Sequence, residues 1–463
     1  MTLRVLELND TGLRLSDDTG VVHSSPGYAL VLPQSVEFGE SARAQSRLNP
    51  LNSHNQFWHK LSVEPFSKPL GHYRHNADIA FSHIQHFAEQ AQIEGDVLLA
   101  LPGSFSRQQM AILLGLMKQS PLNAVGIVDA GLAATIDRYQ GESILHADLE
   151  LHQVVLSKLR KVGTNWKREA VLLVPSTGWI NISDNLMQLF TTAFIQQCRF
   201  NPEHNAASEQ MLLDALPGYL REDFGDKEHA ESQRSLQISL RHNDNVHEVS
   251  LPRSSVHGRL DAFYSKIQQQ LVSLDGAEES PLFISDRLGQ LPQVLEVFSR
   301  NAGQRREVRV LPEDAVNMAC FRHRTALTGA VEAVRFVSEL ESKQQAPATP
   351  QATGTRVQAT HLLFGHIALP LRDGLLVCRM DSRGAGEPSL EILGGANAEL
   401  PEGAVFIAQL LHDNGLYSVT DGNALQINGQ DIREPHTLSL GDSVQFSSLS
   451  QSIELIAVQE SDV

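Results

Sequence analysis

Four times before residue 302 a short apolar run stops at a Pro, Ser or Asp and opens directly into a helical pattern. VLLALPGSF (97–105) leads into a helix starting near Ser106, SRQQMAILLGLMKQ. AVGIVDAGLAATIDRY (124–139), AVLLVPSTGW (170–179) and PLFISDRLGQLPQVLEVFSRN (281–301) repeat the step. A chain that keeps alternating strand and helix folds in the α/β class, with sheets that are mostly buried. At 463 residues it is too long for one core, so two to four folding units are expected.

The alternation ends at ESKQQAPATPQATGTRVQ, where Pro, Ala, Thr and Gln have little to bury; residues 342–358 read as a flexible linker. Beyond it HLLFGHIALPL, GLLVCRM, SLEIL, AVFIAQLL, LYSVTD, LQING, HTLSLGDSVQF and IELIAV are short alternating runs set between turn signals. They predict a small all-β sandwich over 359–463. The formal net charge of −17 argues against a nucleic-acid surface, which needs clustered Lys and Arg. No apolar run is long enough to span a membrane, and MTLRVLELNDTG lacks the charged and apolar regions of an export signal. Cys198, Cys320 and Cys378 have no metal-type spacing and suit a reducing compartment. A cytoplasmic protein without nucleic-acid or membrane partners is expected.

Taken in order, several segments resemble the nucleotide-binding half of the 70-kDa heat-shock chaperones, the DnaK type within the actin-like ATPase superfamily. VLELNDTGLRLSDDTGVVHSSPGYALV sits where that family has its first phosphate hairpin. FGESARAQSRLNPLNSHNQFWHKL, from Phe38, is similar to its Gly-x-x-Ala…Asn-Pro segment. LLALPGSFSRQQMAILLGLMKQSPLNAVGIVDAGLAATIDRY tracks a strand, a helix and the connecting helix between lobes. PSTGWINISDNLMQLFTTAF falls at the Gly-Gly-Glu-Asp-Phe-Asp segment, and FISDRLGQLPQVLEVFSRN with VLPEDAVNMACFRHRTALTG resembles the adenosine motif and second connecting helix. The resemblance covers 1–341 and lies in the order and spacing of many weak matches. It implies a two-lobed actin-like ATPase (ribonuclease-H-like) fold, with lobes of about 1–142 and 143–341, each opening on a strand hairpin. Nucleotide would lie in the cleft, held by backbone amides of the two hairpin turns.

Such a cradle needs glycine, because a phosphate reaches backbone N–H groups only where side chains are absent. Where the family's first turn runs Asp-Leu-Gly-Thr-Thr, this chain has Glu7, Leu8, Asn9, Asp10 and Thr11. In the second, within SILHADLELHQVVLSKL, Asp148 is kept but Glu150, Leu151, His152 and Gln153 replace the glycines and threonine. Asp286 and Arg287 stand at the Gly-Gly pair of the adenosine loop, although Pro292 and the helix after it remain. Glu7, Asp10, Asp148 and Glu150 would crowd a triphosphate, each close like-charge contact costing on the order of 1 kcal/mol or more. The expectation is a retained fold without ATP hydrolysis and without a cofactor. If binding is retained, Glu7, Thr11, Asp148 and Arg287 are the residues that would hold ATP with magnesium. As plain hairpin residues instead, Leu149 and Leu151 would pack while Glu150 and His152 face solvent or the partner lobe. Arg287 would then enter an internal ion pair or a ligand contact.

Other candidates are weaker. Six histidines lie between residues 54 and 86, and His83 with His86 at i,i+3 offers two ligands for Zn²⁺ or Ni²⁺, but nothing completes the set. A solvated helix with incidental histidines is expected there. Ser176 lacks the Gly-x-Ser-x-Gly context of a nucleophile. The tail from Asn414 is similar to the second half of forkhead-associated domains, with an Asn428–Gly429 turn and a Leu-x-x-Gly-Asp turn from Leu438 to Asp442. Phosphothreonine reading in that family needs a Gly-Arg and a Ser-x-x-His; here EGAV (402–405) stands in the latter place and SRGAG at Ser382 is reversed. A plain protein-binding or packing module is expected. The chaperone's helical lid and its Leu-rich linker segment have no counterpart. A non-catalytic scaffold or adaptor that binds protein partners is the function these features imply.

Overall fold

The computed structural model describes residues 3–221, 235–242, 245–276, 278–301, 304–328 and 334–343, and eleven strand segments between 361 and 456. The chain divides into two compact units, Met1–Ala346 and Pro347–Val463. The first is mixed α/β, as the strand–helix alternation predicts.

Two sheets in the first unit repeat one strand order. In the first, β1 (Arg4–Glu7), β2 (Leu13–Asp17) and β3 (Gly20–Ser25) form an antiparallel meander. β4 (Gly95–Leu101) then adds parallel to β1, and β5 (Leu122–Asp129) parallel to β4. In the second, β6 (Ser143–Leu149), β7 (Gln153–Val162) and β8 (Asn165–Pro175) form the meander. β9 (Leu282–Ile284) lies parallel to β6, and β10 (Val308–Val310) parallel to β9.

The central strands are buried on both faces, so they read as nearly continuous apolar runs. Alternation still decides which core each residue joins. Leu145, Ala147 and Leu149 of β6 enter an outer core with helices α4 (Trp179–Cys198), α5 (Ala206–Arg221) and α6 (Arg253–Asp275). Ile144 points the other way, into a core shared with Val5, Leu98 and Val128 of the first sheet. Two helices rich in small residues fill that shared layer, α3 (Ala130–Thr135) and α7 (Ala315–Arg322). On the far side, α1 (Asn76–Ala91) and α2 (Arg107–Met117) cover the first sheet. Ser106 starts α2 with a reciprocal capping box to Gln109, which is why the helix begins where its sequence signal lies.

Two details depart from the sequence reading. The strand Phe336–Val337 returns to pair with β5, so a segment assigned from sequence to the second half adds a strand to the first sheet. Glu339–Glu341 then pairs with β8, and Ser342 and Lys343 remain tied to Thr164 and Asp137. The linker therefore starts later than composition suggests; 344–358 lie outside the described residues. β8 is also only half buried, with Leu173 45% exposed, because Glu339–Glu341 covers its first residues alone.

In the second unit every apolar run becomes a strand, and all pairs are antiparallel. One sheet runs Ile367–Pro370, His361–Phe364, Ser452–Ile456, Ser443–Phe446, Leu425–Ile427, Gln430–Ile432. The other runs Ser389–Gly394, Leu375–Met380, Ala404–Asp413, Leu416–Thr420, His436–Leu438. The Asn428–Gly429 turn, Gly441–Asp442, Glu402 and His366 lie outside the described residues. Among the described residues no helix is long and apolar enough to cross a membrane.

Candidate functional site

The turn between β6 and β7 solves its reversal without glycine. Leu149 pairs with Val154, and the Glu150 amide donates to the Gln153 carbonyl at 2.9 Å. The remaining carbonyls are taken by the start of α4. Trp179 N–H reaches Glu150 O at 2.9 Å, Ile180 N–H reaches Leu151 O at 3.0 Å, and Ser176 N–H reaches His152 O at 3.1 Å. Amides at a helix start are a ready anion site, and here they are spent on the turn. The glycine this arrangement needs is Gly178, where a Cβ would meet Gln153 N at 2.3 Å and the His152 backbone at 2.4 Å. Gly178→Ala is expected to destabilise the unit by about 1–3 kcal/mol in chemical denaturation, since both neighbours are backbone atoms.

The two hairpin turns meet each other directly. Asn9, 1% exposed, donates through Nδ2 to Asp148 Oδ2 at 2.9 Å and to Leu149 O at 3.0 Å. Its Oδ1 accepts from the Thr11 amide and hydroxyl at 2.9 and 2.7 Å. Asp10 accepts the Leu151 N–H through Oδ1 at 2.7 Å, while its own carbonyl takes the Gly27 amide. Glu150 accepts from Ser104, in the loop after β4, and from Gln153, both at 2.6 Å. His152 contacts the first half as well, with Nε2 3.0 Å from Asn55 O and its ring centroid 5.1 Å from that of His59. Leu149 and Leu151 are buried in the core.

Arg287 closes the cluster from the loop after β9. Its Nη1 lies 2.7 Å from Glu7 Oε1 and 4.0 Å from Asp148 Oδ1, and its Nη2 donates to Gly12 O at 3.2 Å. Burial works against that charge, but the carboxylates of Glu7, Asp148 and Asp286 outweigh it and hold the guanidinium protonated. Asp286 turns away to a bidentate pair with Arg14, at 3.0 and 2.6 Å, and Arg14 also reaches Glu313 at 3.1 Å. Arg287 offsets burial only in part at Asp10, as the bonds from Ser104 and Gln153 do at Glu150. Burial and the neighbouring charges, above all Asp148 for Asp10 and Asp10 for Glu150, push them up to about 7 and about 8.

Of the four residues assigned from sequence, the fold brings Glu7, Asp148 and Arg287 together, while Thr11 is turned into the first hairpin by Asn9. Ser104, Gln153, Arg14 and Gly178 complete the site and carried no motif of their own; only the Asp286–Arg287 pair announces that charged partners must be near. Further out, Arg47 pairs with Asp184 and Glu209, Arg43 pairs with Asp214, and Gln210 bonds the Arg47 amide and the Arg43 carbonyl. The segment around 43–47 is thereby clamped to α4 and α5. Two cavities flank the meeting turns. One, of about 240 Å³, is walled by Thr11, Gly12, Arg14, Trp179, Arg287 and Leu291 among others; the second, of about 190 Å³, includes Asp10 and Glu150.

The expectation of solvated histidines fails at His83, which is fully buried on the inner face of α1. Trp58 donates its indole N–H to Nδ1 at 3.0 Å, so Nε2 carries the proton and faces Ser25 Oγ at 2.9 Å. Burial lowers the imidazole to about 3, which keeps it neutral. Among the described residues no group of three or more His, Cys, Asp or Glu is placed to hold a metal ion. Ser176 is exposed on a turn with φ of 61°, and among the described residues its hydroxyl has no hydrogen-bond partner. No protein-family model matches the chain, and no curated protein matches it.

Proposed function

We propose that residues 1–341 are a degenerate actin-like ATPase (ribonuclease-H-like) fold of the 70-kDa heat-shock-chaperone type, serving as a non-catalytic scaffold or adaptor for protein partners. A forkhead-associated-like β-sandwich over 359–463 is its second contact module, and the cytoplasm its place of work. The observation that carries the reading is the 2.7 Å bond from the Leu151 amide to the Asp10 carboxyl. The backbone donor that a nucleotide phosphate would claim in this fold is occupied by the protein's own acid. The repeated strand order, with a meander and two parallel additions in each half, supports the fold assignment. Helices α3 and α7, packed in the core shared by the two sheets, support it as well. The all-antiparallel tail supports the second module, and free thiols at Cys198 and Cys320 suit a reducing compartment.

A second reading, an atypical ATP site with magnesium, is favoured by the cavity of about 240 Å³ that Thr11, Gly12 and Arg287 help to line. Both arginines of that cavity are already committed to acids, which is why the scaffold reading is preferred. Thermal unfolding with saturating ATP and Mg²⁺ separates the two. A ligand at a hundred times its Kd adds about 2.7 kcal/mol of stability. The scaffold reading expects no shift and no phosphate release, and magnesium-dependent hydrolysis would overturn it.

A further inference from the structure

We propose that the cavity of about 190 Å³ beside the meeting turns binds a small organic ammonium ion whose apolar body is about the size of a benzene ring. This goes beyond the scaffold reading and does not depend on it, because the ligand has the opposite charge to a nucleotide phosphate.

The charge argument comes first. Asp10 and Glu150 both line this cavity, and no Lys or Arg does. They are 6% and 5% exposed. Glu150 is hydrogen-bonded at both oxygens, whereas Asp10 accepts through Oδ1 alone. No other described residue bonds Asp10 Oδ2, and Asp10 stands in the cavity wall. A charged donor is the strongest hydrogen-bond partner for a carboxylate oxygen. Anions are repelled by the same pair.

Size and wall chemistry select the rest of the ligand. A dry cavity of about 150 Å³ is enough to hold benzene, so this one admits a ring and a short amine arm. Leu8, Leu13, Trp58, Phe105 and Leu173 supply apolar and aromatic surface, which suits the ligand body and favours a cation nearby. Leu173 is 45% exposed, so the wall reaches the surface and gives a way in. A bare metal ion would leave most of this volume unfilled.

The surroundings make binding depend on pH. Asp148 and Arg287 act on Asp10 from opposite directions, and Asp10 and Asp148 both raise Glu150. His59, also in the wall, is lowered by burial and by the nearby His152 and Lys60, which favours its neutral form. Below about pH 8 the carboxyl pair holds a proton that an arriving ammonium must displace.

The test uses the full chain, with benzylamine as probe and benzyl alcohol and benzoate as neutral and anionic isosteres. Calorimetry should give saturable binding of benzylamine, with proton release, and no comparable binding of either isostere. Affinity should rise on the order of a hundredfold between pH 6 and pH 8.5. Glu150→Gln should weaken the amine about tenfold and flatten the pH dependence. The wild-type comparison of amine with alcohol decides the matter even if the variant folds poorly. Equal binding of alcohol and amine, affinity that falls as pH rises, or no saturable binding up to about 10 mM would overturn the proposal.

Discussion

Replacing Arg287 by methionine is expected to lower the stability of the first unit by about 3–5 kcal/mol, read as a shift in urea midpoint at neutral pH. The Arg287 side chain is only 8% exposed and lies against Glu7 and Asp148, whose side chains are 9% and 8% exposed. Removing it strands two buried carboxylates without their cation. It also frees the Gly12 carbonyl, which Nη2 holds. Converting the pair as a whole should cost far less. Arg287→Met with Glu7→Leu is expected to recover most of the loss, because buried ion pairs repay their own desolvation poorly. A loss below about 1 kcal/mol for the single change would mean that solvent screens the pair, contrary to the burial.

How much of this was legible from sequence depends on whether a feature is local. The strand-to-helix steps carry their own signals, such as the Ser106–Gln109 capping box, and the structure places helices accordingly. Each run in the tail became a strand for the same reason, since period-two alternation acts within a few residues. The candidate site was half legible. Missing glycines in three loops pointed to the place, and carboxylates in their stead pointed to its charge. The partners could not be read, because Asn9 and Leu149 are 140 positions apart and Arg287 and Glu7 are 280. His83 was misjudged for a similar cause. A histidine at i,i+4 from Ile79 lies on the apolar face of α1, and only Trp58 and Ser25, from other segments, make that position satisfactory. Gly178 was hidden by distance in sequence too, since its close approach is to the turn 25 residues earlier.

The wild-type protein should lose stability as pH rises from about 4 to about 8, on the order of 4 kcal/mol for each of two buried carboxyls across that window. The sign follows from Glu150 and Asp10, which are raised to about 8 and about 7 in the folded chain from ordinary carboxyl values of 4.5 and 3.8. Between those limits the folded state holds protons that the unfolded state has released, so each pH unit favours unfolding by about 1.4 kcal/mol per such group. The stability is fully present below the unfolded values and gone once pH passes the folded ones. Asp286 works in the opposite direction. Burial pushes its carboxyl up, but Arg14 and Arg287 outweigh that and hold it below the usual range, so its contribution is lost only in acid. The two opposed windows place the stability maximum on the acid side of neutrality. Glu150→Gln keeps an acceptor for Ser104 and removes the titrating group. Its denaturation midpoint at pH 9 should therefore exceed that of the wild type, by roughly 2–4 kcal/mol, with the maximum displaced toward higher pH. If the variant instead tracked the wild type at every pH, the proton would reside elsewhere, and the contact between the two turns would be an ordinary solvated hydrogen bond.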